Sequence, residues 1–138
     1  MVLSQGLDRA VTIRSEEDIV TARKVARRAA EALGFAITDV TRIVTSTSAL
    51  ARNIFLYAGS GIMQWHRLSN NGTVGIELNF EDNGPGIADI KQAMEAGHST
   101  RSGLGGGLFG VQRLMDEMEI NSQVGKGTIV TIRKWLKR

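Results

Sequence analysis

The residue best suited to hold a metal ion is Asn53, which ends the hexamer SALARN in a stretch with helical spacing of apolar residues. An asparagine carbonyl oxygen can bind Mg²⁺, a hard ion that keeps waters and phosphate oxygens as its other ligands. A glutamate four residues earlier would lie on the same side of the helix and could act as a general base. The chain has Ala49 at that position. Taken alone, Asn53 also fits a polar helix residue whose hydrogen bonds are satisfied.

A carboxylate and two glycines in the stretch EDNGPGI suit the binding of a flat base. Asp82 ends a run with strand character, and a carboxylate at a strand end can accept a hydrogen bond from an exocyclic amine such as that of adenine. Gly84 and Gly86 flank the only proline, and glycines let a flat ring lie against the backbone. The same stretch also fits an ordinary tight turn, because Asn-Gly and Pro-Gly are turn dipeptides.

Glycines dominate the stretch SGLGGGLFGVQRL, which leads into a helix predicted from Leu108 to about Met118. Backbone N–H groups that are free of side chains can bind phosphate oxygens at such a helix start. The candidate phosphate-binding residues are Gly103, Gly105, Gly107 and Gly110. The last three match G-x-G-x-x-G, but the stretch does not directly follow a strand and has no Lys-Ser or Lys-Thr pair of P-loop type. A mobile loop is the alternative, and a phosphate lid would itself be mobile.

The remaining threonine, histidine and tryptophan candidates give weaker indications of a functional site. Thr128, in the stretch GKGT between the last two predicted strands, is either a plain strand residue or a polar group beside a site. His66 and His98 have no partner at metal-ligand spacing, and the absence of cysteine excludes thiolate ligands and cysteine nucleophiles. Trp65 and Trp135 are predicted to be core or interface anchors, because no aromatic ladder accompanies them.

The helices and strands that must position these residues can be predicted from local patterns. Ser15, at the end of a short strand and followed by three acidic residues, predicts the start of a helix that Gly34 ends. A second helix is predicted from about Asp39 to Ala58. The strands GIMQWHRL and TVGIELNF then form a hairpin around the dipeptide Asn71-Gly72.

A short amphipathic segment, ADIKQAMEAG, precedes the glycine-rich stretch, and the strands EINSQ and TIVTIRKWL close the chain around the turn VGKG. Helices that are segregated from an antiparallel sheet predict an α+β two-layer sandwich rather than a βαβ Rossmann domain.

The composition predicts one domain over residues 1–138, since 138 residues with 42% hydrophobic content suffice for one core. The net charge of +3 is spread along the chain except for the tail RKWLKR, and no recognition-helix motif accompanies it, so we expect no nucleic-acid partner. The chain has no long apolar run and no basic-then-apolar start, which predicts a cytoplasmic protein that does not bind a membrane.

In their order along the chain, these motifs resemble the GHKL ATPase and kinase superfamily and its Bergerat fold. Within it, LARNIFLYAG, EDNGPGI, GLGGGLFGVQRLMDE and GKGT resemble the small stand-alone serine/threonine kinases of the anti-sigma and stressosome switch type. The resemblance covers nearly the whole chain, from SEEDIVTARKVAR to GKGTIVTIRKW. It implies ATP and Mg²⁺ as ligands and phosphoryl transfer to a serine or threonine of a STAS-domain partner. The released kinase would then activate a separate phosphatase.

The resemblance also implies a role for individual residues. Asn53 would coordinate the Mg²⁺ that bridges the ATP phosphates, and Asp82 would bind the adenine amine. Gly84 and Gly86 would shape the base pocket. Thr128 would support Asp82 or the base through a hydrogen bond, and the four candidate phosphate-binding glycines would form a lid over the phosphates.

One position departs from the family pattern E-x-x-x-N, in which the glutamate is the general base: the chain has Ala49 there. No Asp or Glu occurs between Val40 and Ile76, so no neighbouring turn of the helix supplies a carboxylate. Loss of a general base costs about 10²- to 10⁴-fold in rate. The sequence therefore predicts a chain that binds ATP but transfers phosphate slowly. The alternative is a nucleotide-gated module that sequesters partners without phosphotransfer.

Overall fold

The computed structural model describes residues 9–90, 94 and 105–137. Within them the chain forms three α-helices and one five-stranded sheet. The helices are α1 (Glu16–Leu33), α2 (Ile37–Asn53) and α3 (Gly105–Leu114). The strands are β1 (Ala10–Ile13), β2 (Gly61–Asn70), β3 (Thr73–Asp82), β4 (Glu117–Gln123) and β5 (Gly127–Trp135).

The sheet is antiparallel at every pairing, and its strands lie in the order β1-β2-β3-β5-β4. Alternate residues of β3 are buried at no more than 2% exposure, namely Ile76, Leu78 and Phe80, as expected for a strand with one face on a core. The apolar stripes of α1 and α2 complete that core, whereas Gln64 and His66 on β2 remain exposed. The predicted α+β two-layer sandwich is confirmed.

Both predicted ends of the first helix are confirmed. Ser15 has an extended backbone (φ −150°), and its Oγ accepts a hydrogen bond of 3.2 Å from the Asp18 N–H, which fixes the first turn. Gly34 ends the helix in the left-handed region at φ 98°, where glycine carries no steric cost. The buried side of the helix includes Ile19, Ala22, Val25 and Ala29.

The predicted hairpin is also confirmed. Asn71 and Gly72 have φ values of 52° and 84°, so both central residues of the turn lie in the left-handed region. Turns of that kind match the twist of the flanking strands. The resulting register carries β3 away from the turn to Asp82, which ends the strand opposite Gly61.

The second helix is shorter than predicted. α2 ends at Asn53, and the next five residues, Ile54–Ala58, form a π-helical turn. A hydrogen bond of 2.9 Å from the Gly59 N–H to the Ile54 carbonyl closes this turn. A π turn holds one more residue than an α turn and frequently lies at functional sites. It therefore changes the direction of the side chains that follow Asn53.

The third helix begins and ends earlier than predicted. α3 starts at Gly105 and stops at Leu114, so Met118 belongs to β4. At its end, Lys134 Nζ on β5 donates a hydrogen bond of 2.9 Å to the Leu114 carbonyl, which satisfies a carbonyl that has no partner inside the helix. Most of the amphipathic segment at residues 88–97 lies outside the described residues.

The basic stretch near the C-terminus is largely part of the folded sheet. Lys134 is only 3% exposed, and its ammonium lies 3.4 Å from Asp116 Oδ1 and 3.8 Å from Asp39 Oδ1 on α2. This buried cation therefore joins the last strand to two helices. None of the helices among the described residues has both the length and the apolar character needed to cross a lipid bilayer.

Candidate functional site

A cavity of about 100 Å³ opens between the helices and the ends of β3 and β5. Its walls are mainly apolar, with Leu50, Ile54, Phe80, Leu108 and Val130 among the lining residues. The polar residues that line it include Asn53, Asp82 and Thr128. An apolar cleft with a few convergent polar groups is the usual form of a small-molecule site.

Asp82 enters this cavity from the last position of β3. Its Oδ1 accepts a hydrogen bond of 2.8 Å from the Gly84 N–H, which fixes the carboxylate and leaves Oδ2 to accept from a ligand. Gly84 also lies tightly against the π turn, because a Cβ on it would be 2.6 Å from the Ala58 Cβ. The predicted base-binding carboxylate is thus held by the glycine two residues after it.

The loop after Asp82 lines the cavity and contacts the turn between β4 and β5. The Gly125 N–H donates to the Pro85 carbonyl at 2.8 Å. Gly86 has φ 79°, and a Cβ on it would collide with the Gln123 carbonyl, so glycine is required there for two reasons. The structure thus brings the EDNGPGI and GKGT stretches into direct contact, although they are far apart in the sequence.

Thr128 lies directly opposite Asp82 in the register of β3 and β5. The backbone of Gly127 (φ 120°) is packed against the Asp82 carbonyl, which brings the two strand ends together. The Thr128 hydroxyl lies 2.7 Å from the Ser122 Oγ on β4. Sequence reasoning missed Ser122, because a serine in an edge strand carries no signal without the register that pairs it with Thr128. The predicted hydrogen bond from Thr128 to Asp82 or to a base stays a prediction.

Asn53 ends α2 and faces the start of α3. A Cβ on Gly107 would lie 3.6 Å from the Asn53 Nδ2, so the glycine-rich helix passes close to this amide. Ala49, one turn earlier, is half-buried and packs against the hydrophobic core. Asp82 is the one carboxylate that lines the cavity within the described part of the chain.

The predicted lid glycines lie mostly in a helix rather than in a loop. Gly105, Gly107 and Gly110 belong to α3, and Gly103 lies outside the described residues. A Cβ on Gly110 would meet open space, so this position does not require glycine for a close contact. N–H groups in the first turn of a helix suit an anion, and the predicted phosphate site at the start of α3 stays a prediction.

A sheet covered on one face by helices, with this cleft between the two layers, is the architecture of the GHKL class of ATPases and kinases. Residues 13–134 match the family described as the histidine kinase-like ATPase domain, and the chain belongs to that family. Within it, the chain is 50% identical over 127 residues to the serine/threonine-protein kinase RsbT of Bacillus subtilis (strain 168), covering 92% of this chain and 96% of that protein. The predicted enzyme class, a protein serine/threonine kinase of GHKL type, is confirmed by this similarity.

Two further similarities are more distant. The chain is 32% identical over 123 residues to an anti-sigma F factor of Caldanaerobacter subterraneus subsp. tengcongensis, and the match covers 85% of each chain. The crystal structure of the SiaB-SiaC complex from Pseudomonas aeruginosa superimposes with a TM-score of 0.56 at 12% identity, covering 92% of this chain and 89% of that chain. At that identity the likeness shows the fold alone.

Proposed function

We propose that the chain is an ATP-dependent protein serine/threonine kinase that phosphorylates a STAS-domain partner in a partner-switching pathway of the stressosome type. Residues 1–138 would form one ATP-binding kinase domain. The observation that carries the proposal is the cleft in which Asp82 on the sheet and Asn53 on a helix line the same apolar cavity. The similarity to RsbT supports the choice of serine or threonine as acceptor. A downstream phosphatase would be the target of the released kinase.

The cavity suits the adenine end of ATP. Its apolar walls would cover the two faces of the ring and exclude water, as most small-molecule sites do. Asp82 has one oxygen already engaged by the Gly84 N–H, so the other oxygen would accept a hydrogen bond from the amine of the base. Leu108, at 1% exposure, belongs both to the cavity wall and to α3, and so joins the base site to the phosphate site.

The phosphates would lie at the start of α3, where N–H groups and the helix dipole both favour negative charge. When bound, Mg²⁺ would supply positive charge that offsets the negative charge of the phosphates. The Asn53 amide oxygen is a suitable protein ligand, because it is hard, neutral and within reach of the first turns of α3. One protein oxygen, that of Asn53, would suffice for Mg²⁺, because this ion usually takes its other ligands from phosphates and water.

Phosphoryl transfer to the partner requires that a proton be removed. The serine or threonine oxygen bonds to the γ-phosphorus, the bond from that phosphorus to the β–γ bridging oxygen breaks, and ADP leaves. A glutamate at position 49 would accept the hydroxyl proton, whereas the methyl group of Ala49 cannot. The proton must then pass to water or to a phosphate oxygen, and we expect transfer to be slower by about 10²- to 10⁴-fold.

The test is to restore the base. The Ala49→Glu chain, incubated with ATP and a STAS-domain protein, should phosphorylate serine or threonine about 10²-fold faster or more, as read by mass spectrometry and radiolabel transfer. The matched control is Ser48→Glu, which adds the same charge on the adjacent face of the same half-buried turn and should give no gain. Adding Asp82→Asn to the Ala49→Glu chain should remove the gain. Equal rates for both glutamate variants would contradict the base assignment.

A second function, a nucleotide-gated module that sequesters its partner, is favoured by Ala49 and by the similarity to anti-sigma F factors. Such a module would bind the STAS-domain protein tightly in the presence of ATP or ADP. It would transfer no phosphate even as the Ala49→Glu variant. Size-exclusion chromatography of the mixture with and without nucleotide separates the two functions when it is combined with the phosphorylation assay.

A further inference from the structure

Ser122 lies on β4, next to the cavity, with three polar groups around its hydroxyl. The Ile87 N–H donates to Ser122 Oγ at 2.7 Å, and Ser122 Oγ donates to the Gly127 carbonyl at 3.2 Å. The third group is the Thr128 hydroxyl at 2.7 Å, and in that contact either oxygen could be the donor by distance alone. Ser122 thus joins the loop after Asp82 to the turn that carries Thr128.

The chemistry of the three groups decides which hydroxyl donates. An amide N–H can only donate, so Ile87 occupies a lone pair of the Ser122 oxygen. A carbonyl can only accept, so the single Ser122 proton points to Gly127. All three contacts are therefore satisfied at once only if the Thr128 hydroxyl donates its proton to Ser122. The Thr128 oxygen then has only lone pairs left for a ligand.

We propose that Ser122 is a specificity-determining residue of the base site, because it keeps Thr128 a hydrogen-bond acceptor. The inference rests on the proposed ATP-binding function and adds to it. Asp82 is also an acceptor, so the two polar groups on the strand ends would present acceptors alone. A 6-amino purine, whose amine carries two N–H donors, fits such an edge. A 6-oxo purine has an acceptor oxygen in place of that amine and only its N1–H left to donate at this edge, so it would bind more weakly.

The discrimination is measured by comparing affinities for Mg-ATP and Mg-ITP by calorimetry. Ser122→Ala frees the Thr128 hydroxyl to donate to a 6-oxo group while it can still rotate to accept from an amine. We expect ITP to bind Ser122→Ala about tenfold more tightly than it binds the parent, because an acceptor left without a donor is costly. The ATP affinity should change by no more than about threefold, because the Thr128 hydroxyl can rotate to suit either base. The ATP-to-ITP affinity ratio should therefore fall by roughly tenfold.

Three further variants separate specificity from a structural role. Ser122→Thr keeps the hydroxyl and should keep the ratio of the parent. Thr128→Val removes the acceptor and should lower the ratio without Ser122 being touched, which also serves if Ser122→Ala does not fold. Adding Ser122→Ala to Thr128→Val should lower the ratio no further, since Ser122 acts through Thr128. A purely structural role would weaken both nucleotides equally and leave every ratio unchanged.

The inference is overturned if Ser122→Ala leaves the ATP-to-ITP affinity ratio unchanged. It is also overturned if adding Ser122→Ala to Thr128→Val lowers the ratio as much as Ser122→Ala lowers it in the parent. The outcome for the kinase proposal is separate. If the parent chain binds ATP in preference to ITP but its Ala49→Glu variant transfers no phosphate, the kinase proposal is contradicted and the role of Ser122 stands. A parent chain that binds neither nucleotide overturns both.

Discussion

Replacing Lys134 with methionine tests whether a buried cation stabilises the contact between the helices and the last strand. Methionine keeps most of the length and volume of the side chain but removes the charge and the donors. The Leu114 carbonyl at the end of α3 would lose the donor that lies 2.9 Å away. A hydrogen bond to a charged group contributes about 1.5–3 kcal/mol to the free energy of unfolding.

The two carboxylates around Lys134 limit the loss. Asp39 keeps Arg42 Nη1 at 2.8 Å, and Asp116 keeps the Trp135 N–H at 2.8 Å, so neither is left without a partner. The cost therefore stays below the roughly 3–5 kcal/mol of breaking a buried ion pair, and release of the buried ammonium offsets part of it. We expect Lys134→Met to lower the free energy of unfolding by about 2 kcal/mol, or Tm by roughly 8 °C for a chain of this size.

Urea unfolding at low and high salt is the assay. A lower midpoint at an unchanged m value would report lost stability, and the loss should be the same at about 0.05 and 0.5 M salt because buried charges are little screened. Arg133→Met is the matched control. Its side chain is 22% exposed, and it pairs with Glu77, Glu117 and Glu119 at 2.6–3.1 Å, so its smaller loss should shrink in salt. A Lys134→Met chain as stable as the parent, or more stable, would refute the reasoning.

Two further predictions concern the loops and α1. Gly86→Ala should lower the free energy of unfolding by more than about 2 kcal/mol in thermal melts, because a positive φ is combined with a collision against the Gln123 carbonyl. Gly72→Ala is the control: φ is 84° but a Cβ would meet open space, so the loss should be only about 1 kcal/mol. Equal losses in the two variants would contradict this prediction. The Arg14 N–H holds the pKa of Asp18 below its usual value of 3.8, so Asp18 contributes stability that is present above that value and lost as pH falls through its lower folded pKa. The difference in urea midpoint between the parent and Asp18→Asn should accordingly vanish in acid. A difference that stays constant with pH would contradict this role of Asp18.

The parts of the fold that the sequence predicts are those fixed by local chemistry. A serine before three acids and a glycine after an apolar stripe define α1, and Asn71-Gly72 defines the hairpin, because each conformation depends on a few neighbouring residues. The π turn after Asn53, by contrast, is not indicated by the apolar spacing of that stretch, which continues the helical pattern to Ala58. The start of α3 within a glycine run contradicts helix propensity, because glycine is a poor helix former.

The residues of the candidate site also differ in how far the sequence predicts them. Asp82 and Gly86 stand out in the sequence, because a carboxylate at the end of a strand-like run is followed by two glycines that flank the only proline. Their contact with the turn before Thr128 depends on the β3–β5 register, which only the folded sheet defines. Ser122 has no distinguishing neighbour in the sequence, and its importance rests on hydrogen bonds to residues from two other segments.

The contact between the loop after Asp82 and the β4–β5 turn also limits how the length of the chain can vary. The hydrogen bond from Gly125 to Pro85 and the fit of Gly86 against Gln123 allow no extra residue in either segment unless the other moves as well. The β2–β3 turn at the far end of β3 has open space around Gly72. Insertions and deletions tolerated during evolution should therefore gather at that far end, while the two segments beside the cavity keep a fixed length together.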